Sequence, residues 1–81
     1  MKLPRNVSGN ELIKSLQKIG YTVTRQKGSH IRITCMLPTK EHHVTIPNHD
    51  PIKIGTLSSI LSDIAQAHQI TKLDIINKIF G

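Results

Sequence analysis

The sequence predicts a two-layer α+β domain of order α-β-β-β-α(-α), with a three-stranded antiparallel sheet and the helices on one of its faces. Three observations predict it: apolar residues recur at helical spacing near both ends of the chain, central segments alternate apolar with polar residues, and glycine or proline separates the segments. With 81 residues there is room for one domain spanning 1–81, which would bury roughly 60–65% of the surface its unfolded chain exposes.

The first helix is expected over about residues 9–19. Ser8 and Glu11 form a capping box, Leu12, Ile13, Leu16 and Ile19 follow at helical spacing, and Gly20 supplies the stop. Lys14 and Lys18, four residues apart, lie on its polar side, facing solvent or a phosphate. Tyr21 to Gln26 and Ser29 to Cys35 alternate and are rich in β-branched residues, so they read as two strands. Parity selects a three-residue loop, Gln26 to Gly28, because it pairs Val23 with Ile31 and Tyr21 with Ile33 and turns all the apolar side chains one way. The opposite face then carries Thr22, Thr24, His30, Arg32 and Thr34.

Met36 to His42, with Pro38 inside, reads as a connection, and Val44 with Ile46 marks a short third strand ended by Pro47. Residues 48–55 form a loop. Thr56 is the expected cap of a second helix with Leu57, Ile60, Leu61 and Ile64 on its apolar face. A last short helix starts at Thr71, with Asp74 completing a capping box and Leu73, Ile76 and Phe80 packing inward. Both strand and helix surfaces are apolar on one side only, so the helices cover one side of the sheet and the other stays open.

Eleven Lys and Arg against five Asp and Glu give a formal charge of +6. The excess is lopsided. Residues 1–40 hold eight of the bases and one acid, Glu11, whereas the rest of the chain is slightly acidic. Such a field suits a polyanion or an acidic protein through steering and counterion release. Tyr21 and Phe80 are the only aromatic residues besides histidine, so base stacking is not the main source of affinity. The lone Cys35 in an apolar strand reads as a buried thiol in a reducing compartment, and Met1 to Arg5 has no signal-peptide core. A cytoplasmic protein without membrane contact is expected.

Among the histidines, His30 stands out because alternation places it on the open face, near Lys27, Arg25 and Arg32. An imidazole can take the proton of a ribose 2′-hydroxyl, which then attacks the adjacent phosphate while cations steady the developing charge. This chemistry needs no metal. One cysteine and no clustered carboxylates give a zinc site little support, so neither metal nor cofactor is expected. Ser29 points away from His30 along a strand, which excludes a serine hydrolase. His42 and His43 read as a solvated pair, and His68, on the apolar side of the second helix, as a partly buried packing residue. If Cys35 faces Val44, extension of the ladder brings His49 opposite His30, where it can protonate the leaving 5′-oxygen or orient the phosphate. The second helix's start at Gly55-Thr56, with Lys53 beside it, offers a place for a phosphate or simply an ordinary cap.

Val7-Ser8-Gly9 opening a helix, Leu16 to Tyr21, and Arg25-Gln26-Lys27-Gly28-Ser29-His30 resemble the HicA-type toxins. Val44-Thr45-Ile46-Pro47-Asn48-His49 and Ile54-Gly55-Thr56-Leu57 to Ile60-Leu61 resemble that family's second signature, and together they cover about residues 1–70. The resemblance implies an mRNA interferase, an endoribonuclease toxin of a toxin–antitoxin pair. It also implies a fold similar to double-stranded RNA-binding domains, a catalytic His30, mRNA as substrate and a HicB-type antitoxin as partner. Lys14, Arg25, Lys27, Ser29, Arg32 and Lys53 are the expected RNA contacts. Residues 71–81 fall outside the resemblance. Leu57, Ser58, Ser59 and Asp63 stand where duplex-binding domains carry bases, which speaks against duplex RNA. Two other readings are a non-catalytic RNA-binding module, with His30 only stacking or hydrogen-bonding, and an interaction protein whose basic face serves an acidic antitoxin.

Overall fold

A computed structural model describes residues 3–81; Met1 and Lys2, the latter among the bases counted above, lie outside them. Its elements run α1 (Gly9–Gln17), β1 (Tyr21–Lys27), β2 (His30–Met36), β3 (Glu41–Pro47), α2 (Ile54–His68) and α3 (Lys72–Phe80). The three strands form one antiparallel sheet in the order β1-β2-β3. Helix α1 packs against β1 and β3, α2 against β3, and α3 against α2 and α1.

The helices form where the sequence provides their ends. Ser8 accepts from the Glu11 N–H while the Glu11 carboxylate accepts from the Ser8 N–H, and Thr71 and Asp74 repeat the pair for α3. Gly20 follows α1 with φ +101°, a conformation that disfavours side chains. Helix α2 departs from expectation: it starts one turn earlier, with Lys53 as the N-cap residue and no side-chain cap, so Thr56 lies inside its first turn. The tail packs firmly. Ile75, Ile76 and Ile79 are buried and Phe80 packs against the core, whereas Leu73, in the first turn of α3, is exposed. The Lys18 ammonium, expected to face solvent or phosphate, donates to the Ile79 carbonyl near the end of α3, where the helix dipole favours a cation.

Both hairpins differ from the simplest parity reading. The β1–β2 connection is the two-residue turn Gly28-Ser29, not the three-residue loop, with Gly28 at φ +59° and Lys27 paired with His30. A bulge after Val23 makes this register possible: Tyr21 faces Cys35 and Val23 faces Ile33, and beyond it Arg25 faces Arg32. Val23 is nevertheless 47% exposed, because β1 is an edge strand that the helices cover only around Tyr21. In the second hairpin Ile33 pairs with Val44 and Ile31 with Ile46, two residues from the Cys35–Val44 register. Both registers keep the apolar residues inward. The close connection through Pro38-Thr39, with Leu37 donating to the Lys40 carbonyl at 2.8 Å, accompanies the observed one and lengthens β3 to start at Glu41.

The core lies between the sheet and the helices, around Leu12, Leu16, Ile33, Ile46, Leu61 and Ile64. No helix among the described residues is long and apolar enough to cross a membrane.

Candidate active site

The sheet face away from the helices is laid out in rows across the strands, because directly opposed residues of antiparallel strands share a face. Lys27, His30 and Pro47 form one row, Arg25, Arg32 and Thr45 the next, and Thr22, Thr34 and His43 the third. Regular alternation would have separated Arg25 and Lys27 from Thr22. The bulge reverses the parity of β1 and brings both bases onto the face that carries His30 and Arg32. His30, Arg25 and Lys27 are exposed and Arg32 is half-buried. Among the described residues no carboxylate lies within ion-pair distance of these three bases, so their charge is available to an anion.

This arrangement joins a titratable group to cations on a surface that RNA can reach. An imidazole at the end of the face can accept a 2′-hydroxyl proton, and a cation across the ladder, with a guanidinium in the next row, can stabilise a phosphorane-like charge.

Further along the same face lies a cleft of about 640 Å³, lined by Thr22, Thr24, Arg25, Arg32, Thr34 and His43, with Ile19 and Met36 among its apolar walls. Its floor is a hydrogen-bonded chain. The Glu41 carboxylate lies 3.3 Å from His43 Nε2, Thr34 Oγ1 is 2.8 Å from His43 Nδ1, and Thr24 Oγ1 is 2.9 Å from Thr34 Oγ1. A carboxylate beside Nε2 favours a proton there and leaves Nδ1 as acceptor for the Thr34 hydroxyl.

The remaining expected contacts are dispersed. Ser29 is exposed in the turn, and its carbonyl accepts from the Asn48 N–H at 2.7 Å. Lys14 is exposed on α1, the helix packed against the opposite side of the sheet, and so is not brought together with the basic rows. Lys53 caps α2 and, with Arg5, borders a separate cleft of about 420 Å³. With the ladder slipped by two residues, Pro47 rather than His49 stands opposite His30. His49 is exposed two residues further on, and its carbonyl accepts from the Gly9 N–H at 2.9 Å.

A second polar group sits at the far end of the core. The Tyr21 hydroxyl is 2.7 Å from His42 Nδ1 and 2.9 Å from His68 Nε2, and His42 Nε2 is 3.4 Å from the Asp63 carboxylate. His42 is therefore a largely buried partner of the core and not half of a solvated pair, while His68 has the partly buried packing role expected of it. Burial, with Cys35 and Asp63 nearby, pushes the Tyr21 phenol far above its usual range. Burial, aided by His42 and Lys78, holds His68 below its ordinary value, and burial raises the Cys35 thiol. The signal for this group was parity: once β3 starts at Glu41, His42 points the same way as Val44 and Ile46.

The family model described as the HicA toxin of bacterial toxin–antitoxin systems matches residues 9–68. No curated protein and no solved structure is significantly similar to the chain.

Proposed function

Because the chain belongs to the HicA toxin family of bacterial toxin–antitoxin systems, we propose that it is a metal-independent endoribonuclease that halts translation by cleaving mRNA, with His30 as general base. The observation that carries this reading is the juxtaposition of His30 with Lys27 and Arg32 on the open sheet face. His30 takes the proton of a 2′-hydroxyl, the oxygen attacks the neighbouring phosphorus, and the 5′-oxygen leaves, so the products are a 2′,3′-cyclic phosphate and a 5′-hydroxyl. Lys27 and Arg32 stabilise the charge on the phosphate oxygens as it develops. Arg25 extends the basic row along the strand, and Ser29 and Lys53 add contacts outside it. His49 follows the strand end that pairs with His30, which supports its role as the acid for the leaving oxygen. The toxin family implies an antitoxin partner, here proposed to be of HicB type, that neutralises the same basic face.

Incubation of the purified chain with a defined RNA in EDTA tests the reading. Cleavage leaving cyclic phosphate ends is expected, and His30→Ala should lower it by roughly 10²–10⁴-fold. The variant's unfolding free energy should stay within about 0.5 kcal/mol of the parent's, because His30 is an exposed strand residue. Activity lost in EDTA and restored by Mg²⁺, or a fully active His30→Ala, would overturn it. A chain that binds RNA without cutting it would support the non-catalytic module instead.

A further inference from the structure

His30 and Lys27 occupy one end of the open face, and the 640 Å³ cleft runs from Arg25 and Arg32 in the next row toward the other. From His30 to Thr34 is four residues along β2, about 13 Å of strand. One phosphodiester cannot reach from His30 to Thr34, so the Thr34–His43 end of the cleft is not part of the cleavage chemistry itself.

Its lining is built for recognition. The chain Glu41, His43, Thr34, Thr24 uses each hydroxyl proton inside the protein, fixing the orientation of the polar atoms in advance. Thr34 is only 8% exposed, so its hydroxyl is held rigidly. Thr24 is exposed along the cleft, where its oxygen can still accept, and the Thr22 hydroxyl, across the ladder from Thr34, has no side-chain partner among the described residues. Thr22 can therefore both donate and accept. Arg25 and Arg32 stand at the side of the cleft nearer His30, with no ion-pair partner among the described residues, and a guanidinium plane can stack on a base as well as hold a phosphate. Met36, 72% exposed, gives a flexible apolar wall whose thioether can pack against a flat ring.

We infer that this cleft is a nucleotide subsite of the RNA track, which takes the base of a single-stranded nucleotide roughly two positions from the scissile phosphate. Thr22 and Thr24 read the base edge, Thr34 and His43 fix the hydroxyl chain beneath them, Met36 covers the base, and Arg25 holds the intervening phosphate while Arg32 stays with the scissile one. The subsite rests on the ribonuclease reading and adds sequence selectivity to it. Uncommitted cations on one side and prealigned neutral polar groups on the other match the two parts of a nucleotide, a charged phosphate and an uncharged base.

The test is cleavage of an RNA pool randomised around one cut site, with the fragment ends sequenced, for the parent, Thr34→Val and His43→Gln. Thr34→Val keeps the β-branched shape of a buried strand residue, and His43→Gln alters an exposed one, so at least one variant retains the fold. The parent should prefer one base about two nucleotides from the cut, and the variants should lose roughly tenfold of that preference, the worth of one or two hydrogen bonds. The ratio between sites is read, so a change in total rate does not confuse the result. A parent without preference at that position, or a preference unchanged in both variants, overturns the subsite while leaving the ribonuclease standing. Variants that keep the parent's pattern but bind antitoxin more weakly would assign the cleft to the protein partner. A parent that cuts no RNA overturns the ribonuclease reading and the subsite together.

Discussion

Lys27 stands directly across the β1–β2 ladder from His30, with only the Gly28-Ser29 turn between them. Their Cβ atoms are therefore about 5 Å apart on one face, close enough for both to reach one phosphate. Lys27→Ala should weaken RNA binding and reduce the dependence of log K on log salt by up to ~0.7, the value of one phosphate contact on a single strand. Lys14→Ala, on the far side of the sheet, should leave that slope unchanged. A salt titration in a His30→Ala background, where cleavage is expected to be slow, reads both, and equal slopes for all three proteins would place the RNA elsewhere.

His49→Ala should remove one limb of a bell-shaped dependence of kcat/KM on pH, because the acid proposed for the leaving oxygen is then missing. The remaining limb belongs to the base. A variant whose profile keeps both limbs at full height would show His30 working without His49.

Tyr21→Phe removes a hydroxyl that serves two imidazoles at once. Tyr21 is 1% exposed, so the loss leaves polar ring atoms of His42 and His68 without a partner at the edge of the core, at a cost of about 1–3 kcal/mol. For a domain of this size each kcal/mol lowers Tm by about 4–8 °C. A melting temperature equal to the parent's would mean that water replaces the hydroxyl without loss.

The same group sets a pH dependence. His68 has its pKa lowered from 6.5 in the folded chain, so below that value the unfolded chain binds more protons than the folded one. Stability contributed by the neutral ring is present above pH 6.5 and is lost as pH falls through the lowered folded value. His68→Gln should flatten the fall in Tm between neutral and mildly acid buffers. On the alkaline side the signs reverse: Cys35 and Tyr21 have raised values, so the folded chain keeps protons that the unfolded one releases, and stability falls above about pH 9. Melting curves across the range, with His68→Gln as control, measure each effect.

Gly9→Ala should destabilise by about 1–3 kcal/mol through overpacking. A β-carbon there would come 2.6 Å from the Pro47 carbonyl oxygen and 2.9 Å from the Asn48 α-carbon, both backbone atoms that cannot swing aside. Pro47 pairs with His30 and Asn48 donates to Ser29, so the displacement reaches the strand end that carries His30. Cleavage measured well below Tm should fall in Gly9→Ala, whereas an active and equally stable variant would show that the segment can yield.

Much of this protein is written locally. Ser8 with Glu11 and Thr71 with Asp74 each complete a cap within four residues, so the starts of α1 and α3 were readable without knowing what they pack against. The alternation of Ile31, Ile33 and Cys35 likewise determined which way His30 and Arg32 face, because successive strand residues point to opposite sides whatever the partner.

Tertiary structure alone decided the rest, because those features depend on residues far apart in the chain. A ladder shifted by two residues keeps the same parity, so local pattern could not choose between Cys35 and Ile33 as the partner of Val44, and with that choice went the position of His49. A bulge adds one residue without marking the sequence, yet it carries Arg25 and Lys27 from one side of the sheet to the other. Tyr21, His42 and His68 meet only when β1, β3 and the end of α2 close on one another; parity along β3 turns His42 inward but does not say what it meets there. Sequence by itself determined the elements and their faces, since these follow from the periods of helix and strand. The packed chain determined which of those faces' residues stand side by side.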